Sequence, residues 1–141
     1  GIKTIQSPVT DMKEINSDSA DLVFASNLFE HLTDEELEKT VSEVKRVLKK
    51  GGRLILMQPN YRLSYKTYFD DPTHKKVFSD TALRAFLISF GFEIEMAKPR
   101  FLPFSLKSRP SIIPVLPIII RAYLYSPIKP FAGQMLFVAK K

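Results

Sequence analysis

The sequence contains no cysteine, which excludes a disulfide framework, a cysteine nucleophile and a thiolate metal site. Glycine is scarce, five residues in 141, and no Gly-x-Gly occurs. Acidic residues run out at Met96: beyond it there are eight Lys or Arg and no Asp or Glu. The net charge of +6 therefore belongs to the last third, and the remainder is close to neutral. No uninterrupted apolar run is long enough to span a bilayer, and no charged-then-apolar leader opens the chain. A soluble cytoplasmic protein is the expectation. The chain opens at Gly1 without a methionine, and an artificial or a processing boundary is the expectation there.

What is present suffices for one domain. With 45% hydrophobic residues in 141, the chain can bury a core, and 26% charged residues are ordinary for a globular protein. Seven of the ten prolines fall between Pro99 and Pro130, in a stretch also rich in Ile, Leu, Phe and Tyr. The expected organisation is a single domain over 1–141, with a core at 1–98 and a Pro-rich basic flap and closing strand at 99–141.

Lys3–Ser7 contains β-branched and apolar residues and stops at Pro8, the pattern of a short strand. Ala20–Ser26 is apolar without alternation, which predicts a parallel strand covered on both faces. Thr33 followed by Glu36 is a capping-box signature, and Leu37, Val41, Val44 and Leu48 make one apolar helical stripe ending at Gly51-Gly52. Arg53–Gln58 is a second buried strand, parallel to the first through a right-handed crossover. Ser79 caps a further helix with stripe Leu83, Phe86, Leu87 and Phe90. Phe92, Ile94 and Met96 then alternate with Glu93 and Glu95 as a strand, and Gln134–Ala139 closes the sheet. The fold class is α/β with a mostly parallel sheet.

Ligands of open α/β sheets bind at the carboxyl ends of the strands. After the first long strand come Ser26, Asn27, Leu28, Phe29, Glu30 and His31, with Glu30 and His31 expected in a loop. After the second come Pro59, Asn60 and Tyr61. The run from Asp21 to Asn60 (DLVFASNLFEHL, then SEVKRVLKKGGRLILMQPN) resembles the later half of a class I S-adenosylmethionine-dependent methyltransferase of the small-molecule type. The resemblance extends over roughly residues 3 to 98, through His74, Phe78 and the Gly91-Phe92 pair. It implies a partial Rossmann-like fold with the first strands missing. It also implies that Asp11 and Met12 contact the cofactor's adenine, that Ser26, Asn27 and Leu28 lie under the cofactor, and that Glu30 and His31 face the acceptor. The family's first strand with its glycine-rich turn, and the acidic residue that holds the ribose, have no counterpart in these residues. Hence a naked sheet edge is expected at Ala20–Ser26, open to a homodimer partner or a completing chain.

Each assignment has a plainer counterpart. Asp11 also suits a turn or cap, Asn27 suits any loop, and His31 is either a general base or an ordinary loop residue. Adjacent Glu30 and His31 do not by themselves converge on a metal, so no metal is expected. The aromatic stretch from Tyr61 to Phe78, with His74 inside it, is expected to form a lid over the acceptor, with Asn60, Tyr61 and His74 touching it. In the tail, Arg109 and Arg121 flank apolar Ile112 to Tyr125. This suits a flap packed on the sheet, a peripheral membrane contact or, with Phe101 and Phe104 stacking, a nucleic-acid grip. Ser26-Asn27-Leu28-Phe29 lacks the Asn-Pro-Pro-Tyr-type motif of amino-methylating DNA enzymes, which argues against nucleic acid. The expected function is methyl transfer from S-adenosylmethionine to a small-molecule or lipid- or glycan-linked acceptor. The alternative is a non-catalytic half-domain acting through self-association or partner binding.

Overall fold

The computed structural model describes residues 1–103 and 117–141. Strand β1 (Ala20–Ser26) pairs in parallel with β2 (Leu48–Pro59), Leu22 opposite Arg53 through Ser26 opposite Met57. Between them runs helix α1 (Asp34–Val47). Its start is fixed as the sequence predicts: the Thr33 hydroxyl accepts from the Glu36 N–H, and the Glu36 carboxylate accepts from the Thr33 N–H. Leu37, Val41 and Val44 are buried along the expected stripe. The helix ends earlier than its glycine pair. Leu48 is already extended and opens β2, so Lys49 and Lys50 lie in a strand.

A short helix α2 (Tyr61–Ser64) follows β2, and helix α3 (Asp80–Ser89) is capped by the Ser79 hydroxyl, which accepts from the Ala82 N–H. Strands β3 (Glu93–Lys98) and β4 (Gln134–Lys140) complete a four-stranded sheet of order β1-β2-β4-β3. Strand β4 inserts between β2 and β3 and runs antiparallel to both, so the other three strands point the same way. The second strand–helix–strand pair is thus separated by the closing strand. A register shift between Ile94 and Met96 breaks the expected alternation on β3. Met96 turns outward and Ala97 packs against the core.

The core is a single cluster. Leu37, Val41 and Val44 of α1 and Leu83 and Leu87 of α3 meet Leu54 and Leu56 of β2 and Met135, Phe137 and Ala139 of β4. Two expectations fail at the amino-terminal side. Lys3–Ser7 forms no strand, and Ile2 and Ile5 are exposed, because no described strand offers a ladder there. Strand β1 is covered on one face only, with Leu22 and Phe24 more than half exposed on the other. Its outer edge pairs with no strand among the described residues.

The expectations for Phe104, Arg109 and the start of the Ile112 to Tyr125 stretch lie outside the described residues. Helix α4 (Pro117–Tyr125) is held by Lys129, whose Nζ donates to the carbonyls of Tyr123 and Leu124. Ile120, Leu124, Tyr125, Ile128 and Phe131 are exposed, so this part of the flap does not bury its apolar groups on the sheet. Among the described residues no helix is long and apolar enough to cross a membrane.

Candidate active site

Parallel pairing sets the carboxyl ends of β1 and β2 side by side. Asn27 leaves β1 with φ 48°, in the left-handed region, and donates its N–H to the Met57 carbonyl at 2.8 Å. Asparagine is suited to this backbone because its short amide bonds locally, here from Nδ2 to the Ser26 Oγ at 3.2 Å. Leu28 packs against the core. Ser26, Asn27 and Leu28 therefore make a tight turn at the edge where a ligand is expected.

A 3₁₀ turn over Phe29–His31 comes next. Phe29 enters the core and carries its neighbour with it, so Glu30 is 1% exposed rather than in an open loop. The Glu30 carbonyl accepts from the N–H groups of Lys75 and Lys76, at 2.8 and 3.1 Å. Its two carboxylate oxygens have no hydrogen-bond partner among the described residues. Burial pushes this carboxyl up from 4.5 to about 7. The neighbouring His31 opposes the shift and Asp71 adds to it.

The segment from Tyr61 to Phe78 folds over this carboxylate. Tyr68 is buried, edge-on to Tyr61 and Phe69, and its hydroxyl donates to the Lys76 carbonyl at 2.5 Å. Its pKa is pushed well above the ordinary range by burial, with Glu30 and Tyr61 adding. His74 lies on the Tyr68 ring at 4.4 Å and reaches the His31 ring at 4.9 Å. Glu30, His31 and His74 each place one potential ligand atom within 4.8 Å of the others. The adjacent Glu-His pair, which alone does not converge, is thus joined by a third group from a distant segment.

Sequence reasoning missed what holds the histidines. The Asp71 carboxylate accepts from the Thr73 N–H at 3.0 Å and from its hydroxyl at 2.5 Å, and these bonds keep its pKa low. The Thr73 oxygen in turn meets His31 Nδ1 at 2.9 Å. His74 Nδ1 lies 2.5 Å from the Tyr68 carbonyl. The signal was the Asp71-Pro72-Thr73-His74 run, a side-chain-capped turn beside a histidine.

The remaining predicted residues are dispersed. Asn60 is buried, and its amide donates to Asp80 Oδ1 at 3.1 Å and the Pro99 carbonyl at 3.2 Å, while its Oδ1 accepts from the Arg62 N–H. These bonds make it an anchor between β2, α2 and α3, with no donor free for a substrate. Tyr61 is half-buried against Tyr68. Asp11 keeps an exposed carboxylate, with Lys13 Nζ at 3.7 Å. Met12 packs on the core, and its N–H donates to Glu43 Oε2 at 2.8 Å.

Comparison with known proteins gives this geometry a context. The sequence profile of the family described as "Methyltransferase domain" matches residues 1–56. An S-adenosylmethionine-dependent methyltransferase of Archaeoglobus fulgidus superposes with a TM-score of 0.69 at 22% identity, over 98% of this chain and 66% of its own. One from Thermotoga maritima gives 0.67 at 20% identity, over 100% and 65%. A complex of the Haloferax volcanii Trm112 methyltransferase activator with a methyltransferase gives 0.65 at 16% identity, over 95% and 58%. The chain has the fold of class I S-adenosylmethionine-dependent methyltransferases. It spans about two thirds or less of the length of these three structures. No curated protein matches the sequence.

Within that methyltransferase fold, the α/β class and the mostly parallel sheet agree with what the sequence implied. The residues present fit one end of the cofactor. The Asp11 carboxylate is exposed, and the half-buried Ser26–Leu28 segment lies at the carboxyl end of β1. The described glycines at 51, 52, 91 and 133 close helix ends and strand approaches rather than a strand-to-helix cradle.

Proposed function

We propose that this chain is the acceptor-side part of a domain that transfers a methyl group from S-adenosylmethionine to a small-molecule or lipid- or glycan-linked acceptor. The observation that carries the reading is the juxtaposition of the Asn27 turn with Glu30, His31 and His74 at the carboxyl edge of a methyltransferase-type sheet. When bound, S-adenosylmethionine supplies a methyl already activated on sulfonium, so the protein's work is alignment and exclusion of water. Asp11 and Met12 would hold the adenine end, and Ser26, Asn27 and Leu28 would line the floor. The Tyr68 and His74 segment covers the acceptor, with Tyr61 at its hinge. His31 and Glu30 orient the acceptor and handle the proton it loses.

The test is a calorimetric titration of the chain with S-adenosylhomocysteine. Saturable micromolar binding that disappears in Asp11→Ala supports the reading. No binding at millimolar ligand overturns it for this chain.

The free edge of β1 and the exposed Leu22 and Phe24 beside it favour a second reading. In it the chain is a non-catalytic half-domain that self-associates or takes a completing chain at this edge. A solution mass of one chain at micromolar concentration contradicts self-association.

A further inference from the structure

The structure assigns a divalent transition-metal site, of the kind that takes Zn²⁺, to Glu30, His31 and His74. Three independent features converge on it. The first is the carboxylate of Glu30. It is 1% exposed, and neither oxygen has a partner among the described residues. Buried carboxylates are ordinarily paired, protonated or bound to a cation, since removing an unpartnered charge from water is costly.

The second feature is the state of the two rings. The Thr73 hydroxyl proton is committed to Asp71 Oδ1, so the Thr73 oxygen can only accept from His31, and Nδ1 of His31 carries the hydrogen. His74 Nδ1 faces the Tyr68 carbonyl, which also can only accept. A hydrogen on Nδ1 makes Nε2 the nitrogen of each ring that can offer a lone pair. A carbonyl or hydroxyl oxygen behind Nδ1 is the second-layer contact that orients a metal-binding imidazole.

The third feature is convergence. One ligand atom from each residue lies within 4.8 Å of the other two, although the histidines are separated by 43 positions in sequence. Ligands about 2.1 Å from a tetrahedral Zn²⁺ stand roughly 3.4 Å apart, so a closure of about 1 Å completes the site. Two imidazoles and one carboxylate suit Zn²⁺ and its first-row neighbours, whereas the all-oxygen preference of Ca²⁺ and Mg²⁺ is not met. Three protein ligands leave a coordination position open. The site stands on its own geometry. Where the methyl-transfer reading also holds, the open position would receive the acceptor's oxygen and lower its pKa, in place of direct proton transfer to His31 or Glu30, and the proton would pass to solvent.

The test uses the 141-residue chain, stripped with chelator, and the metal alone. Calorimetry with Zn²⁺ is expected to give one saturable site with a Kd below about 10 μM. Co²⁺ substitution is expected to give the visible absorption of a four-coordinate nitrogen–oxygen site. His74→Ala should weaken binding at least tenfold while circular dichroism stays unchanged. Glu30→Gln, which keeps size and shape, should do the same. Absence of saturable binding at 100 μM Zn²⁺ overturns the assignment, as does binding that both substitutions leave intact. Neither readout uses S-adenosylhomocysteine. A chain that binds metal and no cofactor fails the methyl-transfer reading alone, and a chain that binds cofactor and no metal fails this one alone.

Discussion

Arg46 grips Glu43 twice, Nε to Oε1 at 2.7 Å and Nη2 to Oε2 at 2.8 Å, and together they hold the backbone that carries Asp11. Glu43 accepts from the Met12 N–H, while Arg46 donates to the carbonyls of Met12 and Ile15 and to the Ser17 hydroxyl. A segment without helix or strand is thereby fixed to α1 by one side-chain fork. Arg46→Ala is expected to cost about 1–3 kcal/mol, with the Met12 and Ile15 amides losing hydrogen-exchange protection while β2 keeps its own. Asp11-dependent cofactor affinity should fall with it. The Arg46 bonds lower the Glu43 pKa to about 2, helped by the Met12 N–H. The clamp's contribution is therefore complete above about pH 4.5 and declines as pH falls toward 2.

Much of the fold was legible because its signals are local. Thr33 and Glu36 mark a helix start whatever surrounds them, and the apolar runs of β1, β2 and β4 need no partner to be recognised. What failed depended on neighbours. Lys3–Ser7 has strand composition, but a strand exists only where a ladder is offered. The bulge near Glu95 is invisible to a period-two pattern. At the site, residues flanking the strand ends could be named, since topology places them. The inward rotation of Glu30 behind Phe29, and the return of His74 onto His31, arise from packing between segments about 40 positions apart.

Gly52 lies where β2 passes the start of β1. A Cβ there would lie 2.9 Å from the Lys49 carbonyl oxygen, 3.1 Å from that of Ala20 and 3.1 Å from Leu48 Cδ2. Two of these are backbone atoms, which cannot swing aside. Gly52→Ala is expected to destabilise by about 1–3 kcal/mol, read as a lower urea midpoint at unchanged m-value.

Asn27 separates backbone demand from side-chain function. Its φ of 48° strains a β-branched residue, so Asn27→Val should cost about 1–3 kcal/mol. Asn27→Gly meets the same backbone freely and should change stability by less than about 1 kcal/mol. Loss of S-adenosylhomocysteine affinity in the glycine variant, with melting temperature held, would identify the amide itself as a ligand contact. Unchanged affinity would leave Asn27 as a turn residue only.

The Glu30 carboxyl gives the metal-free chain a stability profile opposite to that of most paired carboxylates. Its pKa is raised in the fold, from 4.5 to about 7, because burial disfavours the charged form. Between those values the folded state holds a proton that the unfolded state has lost, so stability falls as pH rises. The contribution is fully present below about pH 4.5 and gone above about pH 7, a change on the order of 3 kcal/mol. Urea unfolding in chelator from pH 5 to 8 should show this decline. Glu30→Gln should flatten it and be the more stable protein at pH 8, since an amide keeps the shape without the charge. A wild-type profile identical in slope to that of the glutamine variant would mean that the carboxylate is solvated or paired in solution. At pH 8, Zn²⁺ at about 100 times its Kd should restore about 2.7 kcal/mol to the wild type and much less to the variant, because a ligand stabilises only the state that binds it.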